Sequence, residues 1–267
     1  MERELTYAQT LKFVQSAWLE RDKIFQELFG QPIYATPDTY RLPELIFNLN
    51  EISDLENEDK IEALINDNNK SIFKDQELNI LAYGPDPLRP YWLYVTSGLS
   101  TPWLATSKEE VSGYGFELAI KSPIDAMWPV NILRTLALHV LNHSGVFSPG
   151  ATLDLKSSID SYSYSDLDNL FVWYLDEASD AWYELPSGGF GLFCCIGIST
   201  NEMKYLRTQK DYGAWTMQEL LRRTQNNQVT NPSRKCIMKH KNIKTLKQEM
   251  KIYLRNFSEF SAKQKLD

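Results

Sequence analysis

The sequence predicts an α+β fold. Two observations lead to this prediction: runs with strand periodicity are followed by helical stripes, and no strict strand–helix–strand order or internal repeat is present. With 7 Trp, 14 Tyr and 12 Phe in 267 residues, the chain can fill a sizeable core.

The chain before residue 76 predicts one long helix and a polar insertion. Residues Glu4 to Phe29 have an apolar stripe at helical spacing, which Gly30 and Pro32 end. Leu45 to Leu49 is a short apolar run typical of a strand. Glu51 to Asn69 is acidic and rich in Asn, and we interpret it as a surface insertion.

The centre of the chain predicts three strands and a helix. Gln76 to Tyr83 and Tyr91 to Leu99 are apolar runs separated by a Gly-Pro-Asp-Pro turn. In Gly113 to Lys121, apolar and other residues alternate with a period of two, which predicts a strand buried on one face. Val130 to His143 then shows helical spacing after Trp128-Pro129.

Two more strands and two helices are predicted downstream. Leu170 to Leu175 and the run from Gly188 to Ile198 have the composition of buried strands. Ser199 or Thr200 is a good N-cap for the next helix, with Glu202 in its first turn. A further helix is predicted from about Ala214 to Thr224.

The last 42 residues are basic, whereas the rest of the chain is acidic. From Asn226 onward there are ten Lys or Arg and three Asp or Glu, against 18 basic and 32 acidic side chains in the remainder. After a polar linker, apolar residues repeat at heptad-like spacing: Ile243, Leu246, Met250, Tyr253, Phe257 and Phe260. We expect this helix to dock on the body with its bases meeting the acidic loops, and therefore expect no nucleic-acid partner. A free arm that binds nucleic acid is the alternative.

Several motifs in the centre of the chain resemble the Suppressor of fused (SUFU) domain family. The motifs are Tyr91-Trp92, Val95 to Ser100, Gly113 to Leu118, Trp128-Pro129, Gly197 to Met203 and the segment Trp215 to Leu221. The resemblance covers roughly Gln76 to Arg223 and implies a mainly antiparallel, twisted sheet flanked by helices. It divides the chain into an N-terminal helix with the acidic insertion (1–75), a SUFU-like domain (76–225) and a linker with a basic amphipathic helix (226–267).

The resemblance also implies a non-enzymatic protein-binding module. Animal members hold a transcription factor by adding its peptide as a strand, and bacterial members include predicted immunity proteins beside polymorphic toxins. The animal pattern has a peptide-binding tyrosine at the helix end and an aspartate after the Phe-x-x-Gly turn. The matching positions here are His139 and Ala151, so those residues do not carry over.

The residues predict no catalytic, cofactor or metal site. There is no P-loop, GxGxxG or GxSxG motif. His139 and His143 share a helix face, but the glutamate of HExxH is absent and His240 lies far along the chain. Cys194 and Cys195 are strand neighbours that point to opposite faces, which disfavours a disulfide and fits a reducing compartment. With no secretory signal at Met1 to Thr10, we expect a cytoplasmic protein.

The sequence therefore favours a bacterial immunity protein that neutralises a cognate toxin by binding it. A regulatory scaffold that binds a peptide by strand addition is the alternative, and an uncharacterised hydrolase is less favoured. The segment from Asp154 to Glu184 contains eight acids, one base and seven aromatic residues, which suits a basic toxin domain. The predicted partner-binding residues are Asp166, Asp168, Asp176, Asp180 and Trp182.

Overall fold

The computed structural model describes residues 7–38, 78–102, 107–143, 145–160, 164–209 and 212–264. The strand predicted at Leu45 to Leu49 and the acidic insertion at Glu51 to Asn69 lie outside these ranges. None of the helices in the described ranges combines the length and apolarity that a membrane span requires.

The helices and strands follow the predicted order closely. The helices are α1 (Tyr7–Phe29), α2 (Met127–His143), α3 (Thr200–Thr208), α4 (Gly213–Arg223) and α5 (Ile243–Gln264), with a 3₁₀ turn at Ile237–Lys239. The strands are β1 (Tyr34–Asp38), β2 (Leu78–Tyr83), β3 (Trp92–Ser97), β4 (Val111–Ser122), β5 (Thr152–Asp154), β6 (Asn169–Tyr174), β7 (Tyr183–Leu185) and β8 (Gly188–Ile198).

The described strands form one open sheet of eight strands. Their order is β1-β2-β3-β4-β8-β6-β5, and β7 pairs with the beginning of β8. All pairs are antiparallel except β4 with β8, which are parallel. The α+β prediction, with a mainly antiparallel sheet flanked by helices, is confirmed.

Helices cover the sheet on both faces. On one face, which we call the α2 face, Val130, Leu133 and Ala137 of α2 pack against side chains of β2, β3, β4, β6 and β8. On the opposite face, the α1 face, α1, α3, α4 and α5 pack against the alternate side chains of the same strands. Cys194 belongs to the α1 face and Cys195 to the α2 face, as predicted for strand neighbours.

The prediction that β4 is buried on one face only is wrong. Glu117 is 0% exposed and Lys121 is 2% exposed, although both occupy the alternate positions that the pattern assigns to solvent. Both are buried in ion pairs: Glu117 lies 3.8 Å from Arg21 of α1, and Lys121 lies 2.6 Å from Glu177. Because β4 is central and covered on both faces, its charged side chains require buried partners.

The N-terminus of α3 has the predicted cap. The Ser199 hydroxyl accepts a hydrogen bond from the Glu202 amide, and the Glu202 carboxylate accepts one from the Ser199 amide. This reciprocal arrangement is a capping box, which satisfies two amides that a helix start would otherwise leave unpaired.

Residues 226–240, which the sequence presents mainly as a polar linker, are bound to the domain. We call this segment the strap. The Thr230 amide donates to the Lys121 carbonyl, and the Thr230 hydroxyl accepts from the Gly197 amide. Arg234 forms a bidentate pair with Glu202, at 2.8 Å for each nitrogen. The strap therefore joins β4, β8 and α3.

Helix α5 docks through its first half. Met250 is buried, and Ile243 and Leu246 pack against the core of the α1 face. The Tyr253 ring stacks on Trp215 of α4, with centroids 5.1 Å apart. These contacts agree with the predicted heptad face. The expectation that the tail bases meet acidic loops holds for Lys239, which lies 3.6 Å from Asp166.

Truncation after His240 is expected to lower the melting temperature and expose apolar surface to a dye such as ANS. Burial of a side chain such as Met250 contributes about 1.5–3 kcal/mol, and the truncation removes that side chain and two half-buried ones. Truncation after Arg255 is the control, because it keeps all the docking contacts named above. A melting temperature equal to that of the full chain for both truncations would contradict a stabilising role for α5.

Candidate functional site

The five predicted partner-binding residues lie at the two ends of β6. Asp166 and Asp168 precede the strand, whereas Asp176, Asp180 and Trp182 follow it. A six-residue strand spans roughly 20 Å. The five residues therefore form two separate groups and not one continuous surface.

Asp166 and Asp168 are engaged by the fold. The Asp168 carboxylate accepts hydrogen bonds from the Thr200 hydroxyl at 2.6 Å and from the Asn169 side-chain amide at 2.5 Å. Asp166 faces Lys239 of the 3₁₀ turn. These two acids join the start of β6 to α3 and the strap, so a structural role is the simplest account of them.

The second group lies on the loop of residues 175–182, which we call the acidic loop. Its Asp176 and Asp180 side chains are exposed, whereas Glu177 points inward. Glu177 pairs with buried Lys121 and accepts a hydrogen bond from the Tyr91 hydroxyl. Burial, with Glu177 as a further cause, raises the pKa of Tyr91, so the phenol stays protonated and remains a donor.

The strap fixes the start of the same loop. The Gln228 side chain accepts from the Asp176 amide at 3.1 Å and donates to the Tyr174 carbonyl at 2.6 Å. The Asp176 side chain is 56% exposed, but partial burial of its carboxyl raises its pKa, an effect that the Lys121 ammonium, 3.9 Å away, opposes. The acidic loop is thus held at its base from two directions while its outer side chains face solvent.

Trp182 packs against a segment of β8 in which glycines replace side chains. A Cβ atom at Gly189 would lie 1.7 Å from the indole Nε1, and one at Gly191 would lie 2.9 Å from the Phe193 ring. Gly189 and Gly191 occupy alternate positions of β8 and therefore share a face, the α2 face. Only glycine at these positions leaves room for the two rings.

An aromatic row continues from this glycine segment. Phe193 contacts Tyr174 at 6.0 Å and Phe116 at 5.9 Å between ring centroids, and Phe116 contacts Phe147 at 6.2 Å. The inner rings are buried, but Tyr174 is 45% and Trp182 is 41% exposed. We call Tyr174, Trp182 and Phe193 the aromatic patch. It joins two half-exposed rings to a rigid core beside exposed carboxylates.

The described histidines and cysteines do not form a metal site or a reactive thiol that would suggest a second functional site. His139 and His143 stack with ring centroids 4.8 Å apart on an exposed side of α2. Within the described ranges, no three His, Cys, Asp or Glu side chains are grouped so that they could hold a metal ion. Burial raises the pKa of the Cys195 thiol to about 12 and that of Cys194 well above its usual value, so both remain protonated and unreactive near neutral pH.

Two features of the site were not predicted from the sequence: the packing of aromatic rings against the glycines of β8, and the burial of Lys121. Gly188, Gly189 and Gly191 were visible, and glycines two apart on a strand indicate a close approach on one face. No local pattern pairs Lys121 with Glu177, because the two residues are 56 positions apart in the chain.

Comparison with known proteins gives the family. The model of the Suppressor of fused protein (SUFU) family matches residues 74–235, which is more than half of the chain. The chain therefore belongs to the SUFU family. No curated protein sequence matches it.

Three solved structures show the same fold. Drosophila Suppressor of Fused is 18% identical, with a TM-score of 0.53 over 65% of this chain and 46% of that one. A chain from the Sufu–Fu complex is 16% identical, with a TM-score of 0.58 over 83% and 92%. A SUFU homologue from Neisseria gonorrhoeae FA 1090 is 13% identical, with a TM-score of 0.51 over 86% and 97%. This chain thus spans less than half of the Drosophila protein.

Proposed function

We propose that this protein is a non-enzymatic module that binds a basic protein partner. The observation that carries the proposal is the aromatic patch beside the acidic loop. Half-exposed Trp and Tyr rings that rest on a rigid core are typical anchors of protein interfaces. The exposed carboxylates of Asp176 and Asp180 would attract a basic partner and speed its association. We therefore restrict the partner surface to Asp176, Asp180, Trp182 and Tyr174.

The finer proposal is a bacterial immunity protein in the cytoplasm that neutralises a cognate polymorphic toxin. Two observations support it: a homologue with this fold occurs in Neisseria gonorrhoeae, and the patch suits a basic domain. A related structure is described as the Sufu–Fu complex, in which a family member binds a protein. The test is the neighbourhood of the gene and co-expression with any adjacent toxin domain, which should relieve its toxicity.

A scaffold that adds a peptide strand is the second candidate. Strand β5, Thr152–Asp154, lies at one end of the described sheet and pairs with β6 alone among the described strands. An unpaired edge of this kind is the template that strand addition requires. A proline substituted at Asp154, whose amide faces away from β6, would block pairing at that edge, whereas it would leave a partner on the aromatic patch bound.

Charge reversal of the acidic loop is expected to slow partner association. The variant Asp176→Lys with Asp180→Lys should reduce the association rate constant about tenfold at low salt and flatten its salt dependence. The control is Glu20→Lys with Glu27→Lys, which changes the net charge equally but places the charges on α1. Stopped-flow or surface plasmon resonance with the adjacent toxin domain measures both variants.

A second variant, Trp182→Ala, removes the proposed aromatic contact with the partner and leaves the carboxylates that speed association in place. Truncation of an interface tryptophan typically costs at least about 2 kcal/mol, or roughly thirtyfold in Kd, mainly through faster dissociation. If both variants bind like the parent protein and only lose thermal stability, the patch belongs to the fold and the proposed site is wrong.

A further inference from the structure

Within the part of the chain that the structure describes, a row of lysines on α5 has no acidic partner. Lys244, Lys247 and Lys251 are spaced by three and four residues, which places them on one side of the helix. None of the three forms an ion pair within the described ranges, where the tail's pairs are Arg234 with Glu202, Lys239 with Asp166, and Glu249 with Arg223. We call these three residues the lysine stripe. Among the described residues, the expectation that the tail bases meet acidic loops is met by Lys239 and not by the stripe.

The stripe lies beside α3, so it forms part of a surface built from two helices. The Lys247 ammonium lies 4.0 Å from the centroid of the Tyr205 ring, a cation–π contact that holds the side chain in place. Burial lowers the pKa of Lys247, and the nearby Lys251 lowers it as well. Lys204, the neighbour of Tyr205, is exposed, and so is Lys241 just before α5. Like charges on one helix face repel one another, and a bound anion relieves that repulsion.

We propose that the lysine stripe is a binding surface for a nucleic acid strand, separate from the aromatic patch. Lysine is a point charge that contacts phosphate without demanding a particular geometry, and a row of lysines along a helix follows a phosphate backbone. The stripe spans roughly 10 Å between Lys244 and Lys251, at 1.5 Å per residue. Contacts of this kind give affinity that depends on salt and not on base sequence.

The packing of α5 favours a nucleic acid over an anionic membrane. An interfacial helix must insert its apolar face into the bilayer. The lysine stripe lies on the first half of α5, whose apolar face is already used, since Met250 is buried and Leu246 packs against the core of the domain. The basic side is therefore free for a ligand that needs charge alone.

The acidic composition of the rest of the chain does not prevent this binding. At physiological salt the Debye length is about 8 Å, so the field at the stripe is set by groups close to it. The acid nearest in sequence on α5, Glu249, is occupied by Arg223 at 2.8 Å, on the side that faces α4. Among the described residues of α5, the charge close to the stripe is therefore positive, although the whole chain has a net charge of −7.

The test uses the full-length protein and a fluorescein-labelled oligothymidylate, monitored by fluorescence anisotropy from about 50 mM salt upward. The parent protein should bind, with log K falling linearly with log salt. The variant with Lys244→Gln, Lys247→Gln and Lys251→Gln should weaken binding at least tenfold. It should also reduce the steepness of the salt dependence by roughly two, at about 0.7 per phosphate contact on a single strand.

The matched control is Lys12→Gln, Lys23→Gln and Lys108→Gln, which removes the same charge from exposed lysines elsewhere. The control should bind like the parent protein. The proposal is overturned if the parent does not bind the oligonucleotide, if the control loses as much affinity as the stripe variant, or if anionic vesicles bind and the oligonucleotide does not. If the triple variant fails to fold, Lys244→Gln with Lys251→Gln, two exposed positions, replaces it.

Discussion

Replacing Arg234 with methionine is expected to lower the free energy of unfolding by about 3–5 kcal/mol, because it leaves a buried carboxylate without its cation. The carboxylate is that of Glu202, which is 0% exposed. Arg234 donates to both of its oxygens at 2.8 Å and to the Gly197 carbonyl at 2.7 Å. Chemical denaturation monitored by tryptophan fluorescence measures the loss.

Two further variants show whether the buried charge is the cause. Arg222→Met removes an exposed arginine from a surface pair with Glu219 and should change stability by less than about 1 kcal/mol. Adding Glu202→Gln to Arg234→Met removes the stranded charge, so the double variant should recover part of the loss. An Arg234→Met variant as stable as Arg222→Met would mean that water reaches Glu202, contrary to its complete burial.

The same pair connects stability to the proposed binding surface. Arg234 holds the strap against α3, and the strap carries Gln228, which fixes the start of the acidic loop. Loosening Arg234 is therefore expected to raise the mobility of the loop as well as to destabilise the fold. Hydrogen exchange at the Asp176 amide, which donates to Gln228, reports this coupling directly.

The pair also shows how far the sequence can predict this structure. The N-cap at Ser199 and the role of Glu202 in the first turn follow from residues three positions apart, and both predictions are correct. The pairing of Glu202 with Arg234 spans 32 positions and leaves no local pattern. Elements such as α2 and β8 were predictable for the same reason as the cap, because their patterns involve residues close together in the chain.

Short elements at the margins of the sheet were not predictable. Strands β5 and β7 have three residues each, too few for a period to appear. Strand β1 contains Pro37, which argues against a central strand but is tolerated at the end of a sheet. These strands are defined by the neighbour with which they pair, and sequence alone does not show that neighbour.

The candidate site was predictable in its composition but not in its geometry. The excess of acids and aromatic residues between Asp154 and Glu184 led to the acidic loop and Trp182, which stay a proposal. Counting charges along the chain could not show that β6 separates Asp168 from Asp176. It also could not show that Asp168 bonds to Thr200, since that contact depends on how α3 follows β8.

The wrong prediction that β4 is buried on one face only leads to the second variant with a large expected effect, at Glu117. An alternation of apolar and polar residues usually means that the polar residues face solvent. The same alternation occurs in a strand covered on both faces when a second layer supplies partners for the polar side chains. Here α1 is that layer for Glu117. Its carboxylate accepts from the Thr96 hydroxyl at 2.6 Å, from the Gly98 and Ser100 amides at 2.9 Å each, and from the Ser100 hydroxyl at 2.7 Å.

Glu117→Leu is accordingly expected to cost at least about 4 kcal/mol in unfolding free energy. Each buried donor left without an acceptor costs about 1–3 kcal/mol, and four donors lose theirs. The buried Arg21 guanidinium also loses its nearest buried anion, so α1 should show faster hydrogen exchange than the rest of the core. Glu117→Gln keeps the size and one acceptor oxygen and should fall between the parent and Glu117→Leu. If the leucine variant does not fold, the glutamine variant still measures the effect.

The matched control is Glu184→Leu, which replaces an exposed glutamate on β7 and should stay within about 1 kcal/mol of the parent. Equal losses for Glu117→Leu and Glu184→Leu would show that Glu117 is not the anchor of α1.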